Sequence, residues 1–233
     1  MKTGMVTIVV LALIVGALLS PAWAQAPTQS TQNLATLAIV GAHMAENMKA
    51  LKGYTFQRRT AVQISGELKN VTLAQVAFTP QGEILVTTLS SEPSEQPHGG
   101  PIMRHIEEDK MKDMKGEIEQ VVALSNSYLM LDQQSLQQLG RVAQAWMSPD
   151  GSSIRVTASS FQQPGDQVII TCDGMTKRQI HTQVTTTVFN GPMTISAQYQ
   201  LWPTGLNYNS QTMINVPGKN MQITINTFNY MKQ

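Results

Sequence analysis

Gly53-Tyr54-Thr55-Phe56-Gln57-Arg58-Arg59-Thr60-Ala61-Val62-Gln63-Ile64 is the stretch where the period of the chain changes, and that change decides the fold class. Upstream of it, Leu34, Leu37, Val40, Met44, Met48 and Leu51 recur at spacings of three and four, one stripe of an amphipathic helix. Gly53 is a good stop for that helix. From Tyr54 the period is two. Tyr54, Phe56, Thr60, Val62 and Ile64 share one face and Thr55, Gln57, Arg59 and Gln63 the other, which describes a half-buried strand. Arg58 falls on the apolar-facing side. A charge there is very costly unless it is paired, so two readings stay open. The weightier is a structural arginine satisfied by a carboxylate or by backbone carbonyls. The other is an arginine that gates a groove or holds an anionic headgroup.

Downstream, Val71 to Phe78 and Ile84 to Leu89 are further strands, joined by a tight turn at Thr79-Pro80-Gln81-Gly82. Residues 91–101 read as a loop. Residues 102–147 read as a helical insertion, with the stripe Met103, Ile106, Met111, Met114, Ile118, Val121 and Val122 on its first helix. The other faces of that helix are crowded with charges of both signs, the pattern of a solvated face. A second helix starts near Asp132, shows Leu136, Leu139, Val142, Ala143 and Trp146 on its apolar side, and ends at Pro149-Asp150-Gly151. The Pro/Gly loop in front makes this insertion a candidate lid. Six strand segments follow from Ile154 to Tyr230. The strongest separator among them is Asn190-Gly191, because a two-residue hairpin turn needs positive φ at both centres. Short turns between consecutive strands force antiparallel pairing. The expected fold is therefore α+β, in the order α-βββ-αα-ββββββ. A strongly curved antiparallel sheet of about nine strands, a half-barrel, wraps on three helices within a single domain over 33–233.

The first residues belong to targeting rather than to the fold. Lys2 precedes an apolar run from Met5 to Leu19, and Ala22-Trp23-Ala24 is a small-x-small cleavage site. The run is short for a bilayer span of about 20 residues. Residues 1–24 are thus expected to be a secretory signal peptide and 25–32 a flexible leader, with a periplasmic or secreted product after cleavage near Ala24. The whole chain has 233 residues and a net charge of +1. Loss of Lys2 makes the product neutral, which excludes a typical nucleic-acid binder. The single cysteine, Cys172, cannot form an internal disulfide.

No reaction is legible. The chain has no Gly-x-Ser-x-Gly elbow, no His-Glu-x-x-His and no phosphate-binding glycine loop. Residues 180–233 contain no Asp or Glu, so the C-terminal strands offer no carboxylate pair. His98, His105 and Asp109 are better read as parts of a loop and a solvated helix than as metal ligands. No metal, cofactor or catalytic residue is expected, and the protein is read as a non-enzyme. A groove left between sheet and helices is the expected ligand site. Its candidate residues are Met44, Met48, Tyr54, Phe56, Arg58, Met103, Met111, Met114 and Trp146, the methionines supplying an adaptable lining unless they are ordinary core.

Gly53-Tyr54-Thr55-Phe56 opening a strand after the first helix, within a curved sheet plugged by helices, resembles the periplasmic lipoprotein-carrier fold. Tyr54-Thr55-Phe56-Gln57-Arg58-Arg59-Thr60, Gly66-Glu67-Leu68-Lys69-Asn70, and Leu201-Trp202-Pro203-Thr204-Gly205 with the Pro217–Tyr230 end are similar to an uncharacterised family of secreted bacterial proteins. The resemblance implies a shared fold and the handling of lipid or acyl chains, and it supplies no catalytic residues. The expected function is an exported binding protein for an acyl chain, lipid or lipoprotein moiety. The alternative is a non-catalytic scaffold of the cell envelope with a closed core. The expected partner is an apolar ligand or a lipoprotein. An envelope partner protein is compatible with either reading, and the sequence leaves the oligomeric state open.

Overall fold

A computed structural model describes residues 29–93 and 101–233, with side chains for 33–92 and 113–233. Residues 1–28, which include the expected signal peptide, and 94–100, which include His98, lie outside the described residues. The side chains of Met103, His105, Asp109 and Met111 do so as well.

The chain opens with α1 (Gln29–Leu51) and runs into β1 (Tyr54–Ile64), β2 (Glu67–Phe78) and β3 (Ile84–Pro93). Next come α2 (Pro101–Leu129), α3 (Gln133–Val142) and the short β4 (Ala143–Met147). The rest is a meander of β5 (Ser153–Ser159), β6 (Gln167–Asp173), β7 (Gln179–Val188), β8 (Gly191–Leu201), β9 (Asn207–Val216) and β10 (Met221–Lys232). A 3-10 turn at Pro217–Lys219 joins the last two strands. All ten strands form one antiparallel sheet in the order β3-β2-β1-β10-β9-β8-β7-β6-β5-β4.

Several boundaries differ from the expectations. The helix takes in residues 29–32, which the sequence reading assigned to a loose leader. β3 continues through Pro93, three residues into the expected loop. The larger correction concerns 143–147. This segment is a tenth strand paired with β5, where a helix was expected. Ala143, the C-cap of α3, is already extended at φ −86, ψ 154, and the alternation Ala143, Ala145, Met147 then places Ala145 in the core at 1% exposure. The stripe from Leu136 to Trp146 satisfied a helical period only by joining two elements. Pro149-Asp150-Gly151 accordingly turns β4 into β5 and ends no helix. The strongest predicted turn also sits one residue earlier than read. Val188 pairs with Gly191, so Phe189 and Asn190 are its centres, at φ 52 and 59. The aromatic ring accepts an uncommon left-handed backbone while packing against the core.

Only the pairing of β1 with β10 departs from consecutive order, and it leaves β3 and β4 at opposite edges. The connection from β3 to β4 must therefore cross the whole sheet. Nine inter-strand steps span about 43 Å when flat, and a helix of α2's 29 residues is about as long. The crossing is fastened at its far end. Asp166, 1% exposed, accepts hydrogen bonds from the backbone N–H groups of Phe161, Gln162 and Gln163 at 2.6, 2.8 and 3.0 Å. The Tyr128 hydroxyl of α2 donates to the same carboxylate at 2.7 Å and lies 3.0 Å from Thr186 Oγ1. Burial pushes the Asp166 carboxyl up, and the donors together outweigh it, so its pKa falls below the ordinary value. A carboxylate with a depressed folded-state pKa stabilises the fold above its unfolded pKa and loses that contribution as pH falls through the folded value.

Asp166→Ala is expected to lower stability at neutral pH by about 2–4 kcal/mol, read from the urea midpoint. The gap to the parent should narrow in acid as the parent's carboxyl takes up its proton. A gap that stays constant down to the folded pKa would show that the charge is not what anchors α2.

Candidate functional site

Two groups of buried side chains form instead of one. The larger joins α1, α2 and α3 to strands β4–β10 through residues such as Val40, Val121, Ile154, Ile170 and Ile214. The smaller gathers Leu51, Tyr54, Phe56, Val76, Phe78, Leu206, Tyr208 and Tyr230, with Met48 and Trp202 against it. Its rings pack closely, with Phe56 stacked on Tyr230 at 4.7 Å and Tyr208 tilted against Tyr230 at 4.6 Å. Between the two lies a cavity of about 480 Å³.

Residues of seven adjacent strands, from Ile84 on β3 to Gln179 on β7, line this one cavity. Laid flat, seven strands would span about 29 Å, so the sheet must curl to bring them to one hollow. Two bulges help. In β10 the pairing shifts between Thr55/Gln57 on β1, with Asn229 at φ 54, so that Ile225, Thr227 and Tyr230 all reach the cavity although strict alternation would send Tyr230 outward. In β9 a shift beside Gln198/Tyr199 does the same for Asn209 and Thr212.

Helix α1 supplies one wall. Met44, Met48 and Leu51 point inward at helical spacing, and Asn47 between them grips β9. Its Nδ2 donates to Asn207 O at 2.6 Å, and Asn207 N–H donates to its Oδ1 at 2.9 Å. Helix α2 contributes Ser125, Asn126 and Leu129 to the lining, continued by Met130 and Leu131. Ser125 shares a face of α2 with the buried Val121 and Tyr128. The Tyr54 hydroxyl, also in the lining, lies 2.9 Å from Thr204 Oγ1.

Of the expected groove residues, the structure brings Met44, Met48, Tyr54, Phe56 and Arg58 together at this cavity. Met114 is half-buried and does not line it. Trp146 does not line it either: as part of β4 it is 42% exposed, because its strand parity is opposite to that of the buried Ala145. Cys172 is fully buried in the larger core. Burial, with the nearby charge of Asp173, pushes its thiol up to about 12, so it is a packing residue without thiolate character. Among the described residues no group of three or more His, Cys, Asp or Glu is placed to hold a metal.

Arg58 departs from the structural reading. It is half-buried, no backbone carbonyl or carboxylate among the described residues pairs with it, and its Nε is fully buried without a partner. Ala74 sits opposite it on β2 and leaves room beside the guanidinium. Desolvation lowers its pKa below the ordinary arginine value. Among the described residues the other buried side-chain atoms without partners are Ser125 Oγ, Tyr199 OH and Asn209 Oδ1, and all of them belong to lining residues of the same cavity. Gln179 and Thr182, which bond to each other at 2.5 Å, also lie close to the Tyr199 hydroxyl without a well-formed hydrogen bond to it. Sequence reasoning missed these three residues. Tyr199 continues the inward parity of Met193, Ile195 and Ala197 and was findable. Asn209 reaches the cavity only through a bulge.

No protein-family model matches the chain, and no curated protein does. Among solved structures, a DUF1329 family protein from Desulfovibrio piger is similar, with 9% identity over 84% of this chain and 92% of that one, at a TM-score of 0.40. A LolA superfamily protein from Nitrosomonas europaea is similar at 6% identity over 83% and 93%, with a TM-score of 0.36. The functional reading rests on this chain's own cavity.

If Arg58 serves that cavity and not the fold, Arg58→Met should leave stability unchanged or raise it by about 1 kcal/mol. That is a rise of about 2–4 °C in Tm for a domain of this size. A fall of the same size would make the guanidinium a structural element.

Proposed function

We propose that this protein is an exported, non-catalytic binding protein that shelters an acyl chain, lipid or lipoprotein moiety between its sheet and helices. The observation that carries the reading is the cavity of about 480 Å³ between two separate cores. That volume lies within the usual range of ligand sites. Met44, Met48, Leu51, Phe56, Val76 and Leu129 give it an apolar lining into which a hydrocarbon chain can be desolvated. Methionines in the wall allow chains of different shape to be accommodated. The basic n-region, apolar run and Ala22-Trp23-Ala24 support export to the periplasm or beyond. Among the described residues no helix is long and apolar enough to cross a membrane.

The alternative, an interaction protein of the envelope, is favoured by one feature. Edge strand β3 exposes Ile84, Leu85, Val86 and Leu89, a surface suited to strand addition.

Native mass spectrometry of the protein purified from its host should show a co-purifying lipid at one molecule per chain. After delipidation, a fluorescent apolar probe should bind with the same stoichiometry, and Met48→Trp, which fills the cavity, should weaken the probe at least tenfold. A folded, delipidated protein that takes up no apolar probe would leave the interaction reading in its place, with concentration-dependent dimerisation abolished by Leu85→Lys as its mark.

A further inference from the structure

The cavity is lined by apolar side chains together with unsatisfied polar groups, and this combination restricts what can occupy it. Buried polar groups in folded proteins are nearly always hydrogen-bonded, and each exception calls for an explanation. Here the exceptions are gathered in one place. Arg58 Nε, Ser125 Oγ, Tyr199 OH and Asn209 Oδ1, the unpartnered buried side-chain atoms among the described residues, all line the same hollow. They come from β1, α2, β8 and β9, so no local accident of one loop accounts for them.

The strand members form a row. Arg58 is the register partner of Thr227 on β10. The Thr227 hydroxyl donates to Asn209 O on β9, and Asn209 is the register partner of Tyr199 on β8. The row covers three inter-strand steps, about 14 Å along a flat sheet and less across a curled one. Ser125 joins the lining from α2.

The chemistry of the row is unequal. Arg58, Ser125 and Tyr199 can each donate; only the Asn209 oxygen needs a donor. Charge is unequal too. The lining contains Arg58, Lys177 and Arg178 against the single carboxylate of Glu46. A neutral hydrocarbon filling the cavity would desolvate the guanidinium and give it nothing in return, which is the costliest arrangement available to a buried charge. An anionic oxygen group reverses that cost, because it accepts from an ionised donor in a poorly screened site.

We infer that the cavity selects an acyl chain ending in an anionic oxygen group, carboxylate or phosphate, with the head at the Arg58 guanidinium and the chain against Met44, Met48, Leu51 and Leu129. Ser125 and Tyr199 donate to the ligand's further oxygens, and Asn209 Oδ1 accepts from a hydroxyl or amide where the ligand carries one. The inference rests on the lipid-binding reading and names the class of lipid.

The test compares four ligands of matched chain length on the delipidated full chain, each below its micellar concentration and at one ionic strength. They are palmitate, palmitoyl lysophosphatidate, hexadecanol and hexadecyltrimethylammonium, measured by displacement of a fluorescent apolar probe. Palmitate or lysophosphatidate should bind at least about tenfold tighter than hexadecanol, the worth of one charge-assisted hydrogen bond, and the cation should be weakest. Whichever anion leads identifies the head as carboxylate or phosphate. In Arg58→Met the ratio of palmitate to hexadecanol affinity should fall to about one, and in Arg58→Lys part of it should return. The pair Ser125→Ala and Tyr199→Phe, which removes donors without touching the charge, should reduce the ratio several-fold even where an Arg58 variant fails to fold. Equal affinities for palmitate and hexadecanol in the parent overturn the inference and leave lipid binding standing. So does an anion preference that survives in a folded Arg58→Met. Failure of every ligand, hexadecanol included, overturns both.

Discussion

The pairing of β1 with β10 is the constraint on which the architecture depends. It welds the three-stranded N-terminal meander to the last strand of the C-terminal one and so makes a single sheet from two separate runs of chain. Because β1 sits inside the sheet and not at its margin, β3 and β4 become the two edges. The chain between them has no short path and must pass over a face. A long helix is the economical way to do so, since it satisfies its own backbone while it crosses. The Tyr128–Asp166–Thr186 cluster then fixes where the crossing lands.

A sheet this wide cannot stay flat: strand twist accumulates, and bulges in β9 and β10 sharpen the bend. The buried side chains condense into two groups, and the cavity is lined by residues of both. Its existence follows from geometry before any residue is assigned a role. Its character follows from which residues the strands present, aliphatic and methionine side chains on the helical walls and a polar row across β1, β10, β9 and β8.

On the proposed reading, stability and function diverge at that polar row. A sequence selected only to fold would place an apolar side chain where Arg58 stands, since the guanidinium gains no partner there among the described residues. Natural proteins break local rules of this kind mainly at sites of function, where the deficit is made good by a ligand. The contrast with Asp166 is instructive. That buried charge collects hydrogen bonds from three backbone amides and a tyrosine, so it is a structural joint and is closed to any ligand.

Period and punctuation in the sequence determined the helix-to-strand switch at Gly53, the antiparallel meander, the Asp132 start of α3 and the inward face of Met44, Met48, Tyr54, Phe56 and Arg58. These depend on alternation within one element, which the local backbone dictates. Where two elements shared a stripe, as from Leu136 to Trp146, periodicity misled, because a helical pattern can be completed by chance across a boundary. The partnering of β1 with β10, the curl that gathers seven strands around one hollow, and the presence there of Ser125, Tyr199 and Asn209 were decided by tertiary structure alone. Non-local pairing and bulges set which distant residues meet, and a bulge reverses strand parity with no mark in composition. Arg58 shows both halves of this: the sequence placed its charge on the apolar face, and only the assembled fold left its Nε buried without a partner among the described residues.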